Sequence, residues 1–199
     1  NPRIKVDGTA SGTGLFTLQA PDSSTARTLT LPDRTGTILD TGDTSFFGAD
    51  QWYLNSDHTG DADITNWAQG SSTTGGGSIG TGLTESSGVF TFPVTGIWNI
   101  KTVFYLNAQP TDGDWMFIGL KTSNDNFSTE NASTVSGAHM AEDEGWQAQI
   151  QHDFLFDVTN TSTDKIKFAS SSFSTGNKIV GAGSGTMYTW VNFIRLGDT

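Results

Sequence analysis

From Phe46 onward the chain holds a series of short runs in which apolar side chains recur at every second position. The clearest run is 97–104: Trp98, Ile100, Thr102 and Phe104 fall on one side, Ile97, Asn99, Lys101 and Val103 on the other. Ile150, His152, Phe154, Phe156 and Val158 repeat the pattern. Successive side chains of a strand point to opposite faces, so this period gives a half-buried strand and cannot give the single apolar stripe of a helix. Gly, Asn, Asp and Pro break these runs about every 8–12 residues, the spacing of short strands in a sandwich or barrel. The fold is therefore read as all-β. The best helical composition, 138–151 with Glu142, Asp143 and Glu144, runs straight into the alternation that ends at Val158, so it is read as an acidic loop followed by a strand.

Two textures divide the chain. Residues 1–45 carry short Thr/Leu strands and one aromatic, Phe16; residues 46–199 hold all 6 Trp and every other one of the 13 Phe. The main core must therefore lie in the second region. The boundary is placed in Thr41-Gly42-Asp43-Thr44-Ser45. Strands are expected at 51–54, 89–92, 97–106, 115–122, 147–158, 165–170, 178–180 and 187–196, about the eight of a jelly roll. The Gly/Ser/Thr-rich stretch 70–82 reads as a long flexible loop.

Charge narrows the partners. The formal net charge is −11, with only 16% charged residues. An acidic surface repels phosphate backbones and anionic lipid, so neither nucleic acid nor membrane is expected as a partner. Cysteine is absent, which removes disulfides and thiolate metal sites. No apolar run approaches a membrane span, and no signal peptide is read.

Two segments carry a resemblance. The first is Gly88-Val-Phe-Thr-Phe-Pro-Val-Thr-Gly-Ile-Trp-Asn-Ile. Phe90 and Phe92 share a face, Pro93 has no N–H to continue the pairing, and Gly96 permits a tight turn before a long strand. The second is the final strand, Met187-Tyr-Thr-Trp-Val-Asn-Phe-Ile-Arg-Leu-Gly. Together they resemble the C1q/tumour-necrosis-factor jelly-roll superfamily, over roughly residues 47–199. The resemblance implies a homotrimer whose last-strand aromatics reach the trimer axis, with Tyr188, Trp190 and Phe193 as candidate contacts. The superfamily's usual Tyr after the glycine is Trp98 here.

The first region resembles a module of bacteriophage tail-fibre and virion-appendage proteins. Leu15-Phe-Thr-Leu-Gln-Ala-Pro and Arg27-Thr-Leu-Thr-Leu-Pro-Asp-Arg-Thr-Gly-Thr-Ile-Leu carry that likeness. So small a β unit cannot bury Leu29, Leu31, Ile38 and Leu39 by itself, which makes it a candidate anchoring foot or stem.

His58, His139 and His152 are the only histidines. His152 alternates with core positions and reads as a strand or interface histidine; His58, in Ser-Asp-His-Thr-Gly, reads as solvated. No nucleophile elbow, Walker loop or His-Glu-x-x-His run occurs. Asp112 and Asp114 flank a glycine and read as a turn rather than as a glycosidase carboxylate pair. Asp61 and Asp63, Asp112 and Asp114, and Glu142, Asp143 and Glu144 are clusters of hard oxygen donors that read first as a solvated face, with a structural calcium as the alternative. No catalytic residue, protein-bound metal or cofactor is expected. Asn126, Asn131 and Asn160 head sequons that bacterial expression would leave bare. Trp52, Tyr53 and Trp67, with Trp115 and Trp146, exceed what one core needs, so the first three are candidate sugar-stacking contacts.

The reading is a non-enzymatic virion structural protein on the particle surface: a jelly-roll head on a small β foot, homotrimeric. Its partners are itself, other capsid or tail proteins and a host surface glycan. A receptor-binding fibre tip comes first, a capsid decoration or head-fibre protein second, and a secreted carbohydrate-binding module third.

Overall fold

The computed structural model describes residues 24–25, 48–108, 115–139, 146–183 and 185–199. The chain divides into two compact units, Asn1–Ile38 and Leu39–Thr199, and every described strand belongs to the second. The foot candidates Leu29, Leu31, Ile38 and Leu39 lie outside the described residues, as do Asp112, Asp114, Glu142, Asp143 and Glu144.

Thirteen strands are described: β1 (Ala49–Leu54), β2 (His58–Thr59), β3 (Trp67–Gln69), β4 (Ser78–Ile79), β5 (Thr84–Ser86), β6 (Val89–Thr91), β7 (Gly96–Asn107), β8 (Trp115–Ser123), β9 (Asn131–His139), β10 (Gln147–Val158), β11 (Lys165–Ser171), β12 (Lys178–Ile179) and β13 (Trp190–Gly197). No helix occurs among the described residues. All pairings between these strands are antiparallel. β7 is the centre of an eight-stranded sheet. β10 pairs with it along its whole length, from Gln147 opposite Asn107 to Val158 opposite Gly96. β13 and the short β12 lie on its other side; β1 follows β13, and β3 and β4 follow β1. The second sheet has five strands in the order β5-β6-β11-β8-β9. The two sheets form an antiparallel sandwich.

The period-two reading of β7 holds. Trp98, Ile100, Thr102 and Phe104 are buried, and the opposite face carries exposed Lys101. Phe90, on β6, sits among four rings: Trp52 at 5.5 Å, Trp67 at 5.7 Å, Phe168 at 6.1 Å and Phe193 at 5.1 Å. Such pairs add about 0.5–1.5 kcal/mol each beyond burial. β6 stops at Thr91, before Pro93. Gly96 has φ +134°, and a Cβ there would meet the Gly197 carbonyl and the Arg195 guanidinium. Only glycine fits this entry to the central strand.

One buried carboxylate ties the edge of the core. Asp50 on β1 accepts the Trp52 indole N–H, the Gln69 side-chain amide and the Leu83 backbone N–H, each at 2.8 Å. It thereby joins β1, β3 and the approach to β5, with both oxygens occupied.

The structure departs from the sequence expectations in several places. β9 was not foreseen. The stretch 70–82 is not a free loop: β4 within it pairs with β1, and the Gly70 N–H donates to the Gln51 carbonyl at 2.6 Å. The last strand begins at Trp190 rather than Met187, and its register shifts between Arg195 and Gly197 as a bulge. His58 is half-buried, not solvated, because β2 pairs with β12 and brings its Nε2 to 2.8 Å from Ser170 Oγ.

Candidate self-association face

Neighbours directly opposite in an antiparallel sheet share a face, so the register defines what the eight-stranded sheet shows on its outside. One row runs from Leu155 through Asn99, Ile194 and Ala49 to Ile79. A second runs from Asp153 through Lys101 and Asn192 to Gln51. A third runs from Gln151 through Val103 and Trp190 to Tyr53. Two largely apolar bands therefore flank a polar one.

The Leu155–Ile79 band is uncovered in a single chain, whereas in the other Val103 is buried and Trp190 and Tyr53 are half-buried. Leu155 is 60% exposed, Ile194 41% and Leu196 58%, and Ile79 is exposed as well. Exposed apolar area gathered on one sheet face marks an interaction surface more than scattered residues do. Tyr188, before β13, packs its ring against Tyr105 of the same face at 5.5 Å, and the Tyr105 hydroxyl donates to Gln147. In the polar band, the Asn99 side-chain amide donates to Asp153 at 2.6 Å. The buried Asn192 amide oxygen has no hydrogen-bond partner among the described residues. A polar band of this kind specifies register for a partner rather than affinity.

The candidate contacts on the last strand separate by face. Tyr188 and Trp190 lie on the outside, the first exposed and the second half-buried. Phe193 does not: its odd position turns it inward, fully buried against Phe90 and Phe92 at 5.1 Å and 6.0 Å. It cannot reach a second chain. Ile194 and Leu196, which replace it on the outer face, share the parity of Trp190 and were legible by that rule alone.

The proposed sugar-stacking residues are corrected likewise. Trp52 and Trp67 are buried in the core, with their indole N–H groups satisfied by Asp50 and by the Ile64 carbonyl, each at 2.8 Å. Tyr53 is half-buried on the outer face of β1. These three do not form a ligand platform. Trp115 and Trp146 are the exposed tryptophans.

Several of the described histidines and acids are engaged within the fold. His152 is buried; its Nδ1 lies 3.1 Å from the Thr102 hydroxyl, which also accepts the His152 backbone N–H. Burial pushes its ring below the usual histidine range, partly offset by the Ile118 carbonyl. Burial does the same to His58, offset by the Gly60 carbonyl. Asp61 accepts the Phe173 N–H at 2.8 Å, and Asp63 pairs with Lys167 at 3.0 Å. Lys167 also bridges to Glu130, which Lys121 contacts at 2.8 Å; these lysines hold the Glu130 carboxyl at about 2. Among the described residues no three His, Asp or Glu side chains gather as metal ligands.

Two antiparallel sheets in this order define an all-β sandwich of the TNF-like jelly-roll class. No family model matches the sequence, and no curated protein matches it. Among solved structures, Eiger TNF from S. frugiperda is similar with a TM-score of 0.58 at 12% identity, over 77% of this chain and 95% of that one. Murine APRIL at pH 5.0 is similar with a TM-score of 0.56 at 11% identity, over 75% of this chain and 99% of that one. A murine APRIL structure at pH 8.5 gives 0.52 at 10% identity with the same shares. At these identities the likeness concerns the fold.

Proposed function

We propose that this chain is the subunit of a homotrimeric, non-catalytic module on the surface of a bacteriophage particle, serving as a tail-fibre or receptor-binding tip. The observation that carries self-association is the banded outer face of the eight-stranded sheet, with Leu155, Ile194 and Leu196 uncovered in one chain. Three copies meeting through this face would bury the part of those side chains still exposed, at about 1–2 kcal/mol each. The virion setting rests on the likeness of residues 15–39 to fibre and appendage modules. A binding role without chemistry agrees with the engagement of His58, Asp61, Asp63 and Glu130 within the fold. No metal or cofactor is part of this reading, and neither nucleic acid nor membrane is a partner.

Light scattering tests the assembly: a mass three times the 21.2 kDa of one chain is expected, and a monomer at micromolar concentration overturns it. Quantitative mass spectrometry of purified particles tests the setting. A few dozen copies or fewer mark a fibre, hundreds mark capsid decoration, and absence from the particle refutes the virion role.

A further inference from the structure

We propose that the outside of the five-stranded sheet carries a binding site for a neutral pyranose ring, on a shelf built by Trp115 and Phe117. Both project outward from β8, two residues apart, while Met116 and Ile118 between and beyond them are buried. Trp115 is 54% exposed, too open to be serving the core. The two rings lie nearly parallel, 5.9 Å apart with 11° between their planes. His139, opposite on β9, meets the indole edge-on at 5.2 Å. Phe117 lies across Gly137, where a Cβ would come within 2.5 Å of its ring atoms. A larger residue at 137 would tilt the ring, so β9 makes room for the shelf at this one position. The platform is thus fixed before any ligand arrives, which lowers the entropic cost of binding.

The chemistry around the shelf selects the ligand. A shallow, open cleft of about 410 Å³ lies over it, bordered on the far side by Ser172, Phe173 and Ser174. Aromatic faces attract polarised C–H groups. A pyranose offers a face of such C–H groups, with hydroxyls at its rim for the two serines. Nucleobases also stack on aromatic rings, but they come with phosphates. The chain carries a net charge of −11, and Asp61 holds the Phe173 amide at 2.8 Å beside the cleft. Phosphates, sialic acids and uronic acids are therefore repelled, and an uncharged sugar is favoured.

The inference stands apart from self-association, because the shelf is on the opposite side of the sandwich from the banded face. Assembly would leave it open and present three copies to one glycan surface, raising avidity without new contacts.

The test is a glycan array of neutral and acidic oligosaccharides probed with the full chain, followed by calorimetric titration of the strongest neutral binder. Trp115→Ala should weaken that binding by about tenfold or more, the scale of a lost stacking platform. Gly137→Ala, which disturbs only the Phe117 ring, should weaken it about threefold or more by the same stacking argument. Far-UV circular dichroism and elution volume should be unchanged in both, which separates a lost site from a lost fold or a lost trimer. Absence of neutral-glycan binding, binding of acidic glycans alone, or both variants binding as the parent does would each overturn the proposal.

Discussion

Replacing Ile194 by Asp addresses self-association without touching the core. Ile194 sits on the outer face of β13, with Asn99 opposite on one side and Ala49 on the other. In a free chain it is 41% exposed, so the substitution should cost the monomer little, within about 0.5 kcal/mol as for ordinary surface changes. In the assembly the carboxylate would be buried without a counter-charge, at about 3–5 kcal/mol per copy. Losing the remaining burial of the isoleucine adds about 1 kcal/mol. With about 1.4 kcal/mol for each tenfold, the dissociation constant should rise by roughly three orders of magnitude. Lys101, in the next row, is placed to offset part of this. Sedimentation velocity over a micromolar dilution series reads the result directly. Phe193→Ala is the internal contrast, one residue away on the inner face. It should open a core cavity and cost about 3–5 kcal/mol of folding stability, read from the urea midpoint. A trimer mass retained by Ile194→Asp, or a loss of folding stability matching that of Phe193→Ala with no change of mass, would refute the assignment of faces.

Three further outcomes follow from the same physics. Asp50→Ala strands two buried donors, the Trp52 indole and the Leu83 N–H, and should lower stability by about 2–5 kcal/mol, whereas Asp50→Asn, which needs only the Gln69 amide to turn over, should cost far less; equal urea midpoints for the two would show that the carboxylate network does not pin β1. His58 and His152 are neutral in the fold, with ring pKa values below the unfolded value of about 6.5, so their contribution is whole above that pH and is lost as pH falls through the folded values. Glu130, held at about 2, loses its contribution only at more acid pH, so a fall in urea midpoint that sets in as pH drops below about 6.5 belongs to the histidines; a His58→Gln, His152→Gln double variant with the same slope would disprove this. Gly96→Ala forces a Cβ into the Gly197 carbonyl at a left-handed φ and should lower the thermal midpoint by several degrees, about 1 kcal/mol or more; an unchanged midpoint would mean that the β7 entry relaxes freely.

How far the sequence could be read depended on whether a strand has a wet side and a dry side. β7 and β10 alternate because one face of each is core, β8 alternates over Trp115–Ile118, and β11 alternates in residue type although both its faces are buried; the ends of all four lie within about two residues of those expected from the sequence. β9 was invisible for the opposite reason. It is an edge strand of small and polar residues, Thr134-Val-Ser-Gly-Ala-His, and its one large apolar residue, Val135, is exposed. The misplacement of Phe193 had a simpler origin: it was grouped with Tyr188 and Trp190 by nearness along the strand, when parity separates it. Trp52 and Trp67 were assigned outward by counting aromatics against an average core. This core is built from rings more than from aliphatic chains, and Phe90 alone touches four of them. The shelf on β8 left a partial trace, since Trp115 and Phe117 share parity in the sequence. The glycine that seats Phe117 lies on the strand that composition hid.

The bulge at Leu196 divides the last strand into parts with different tolerance for length change. Upstream of it, adding or deleting one residue would turn β13 over, driving Ile194 into the ring cluster and leaving Phe193 in water. Downstream, the ladder has already slipped once, and one more residue is absorbed where the pairing ends. Natural variation in length should therefore collect after Leu196 and be absent between Trp190 and Arg195, where only paired insertions preserve both the interior and the outer face.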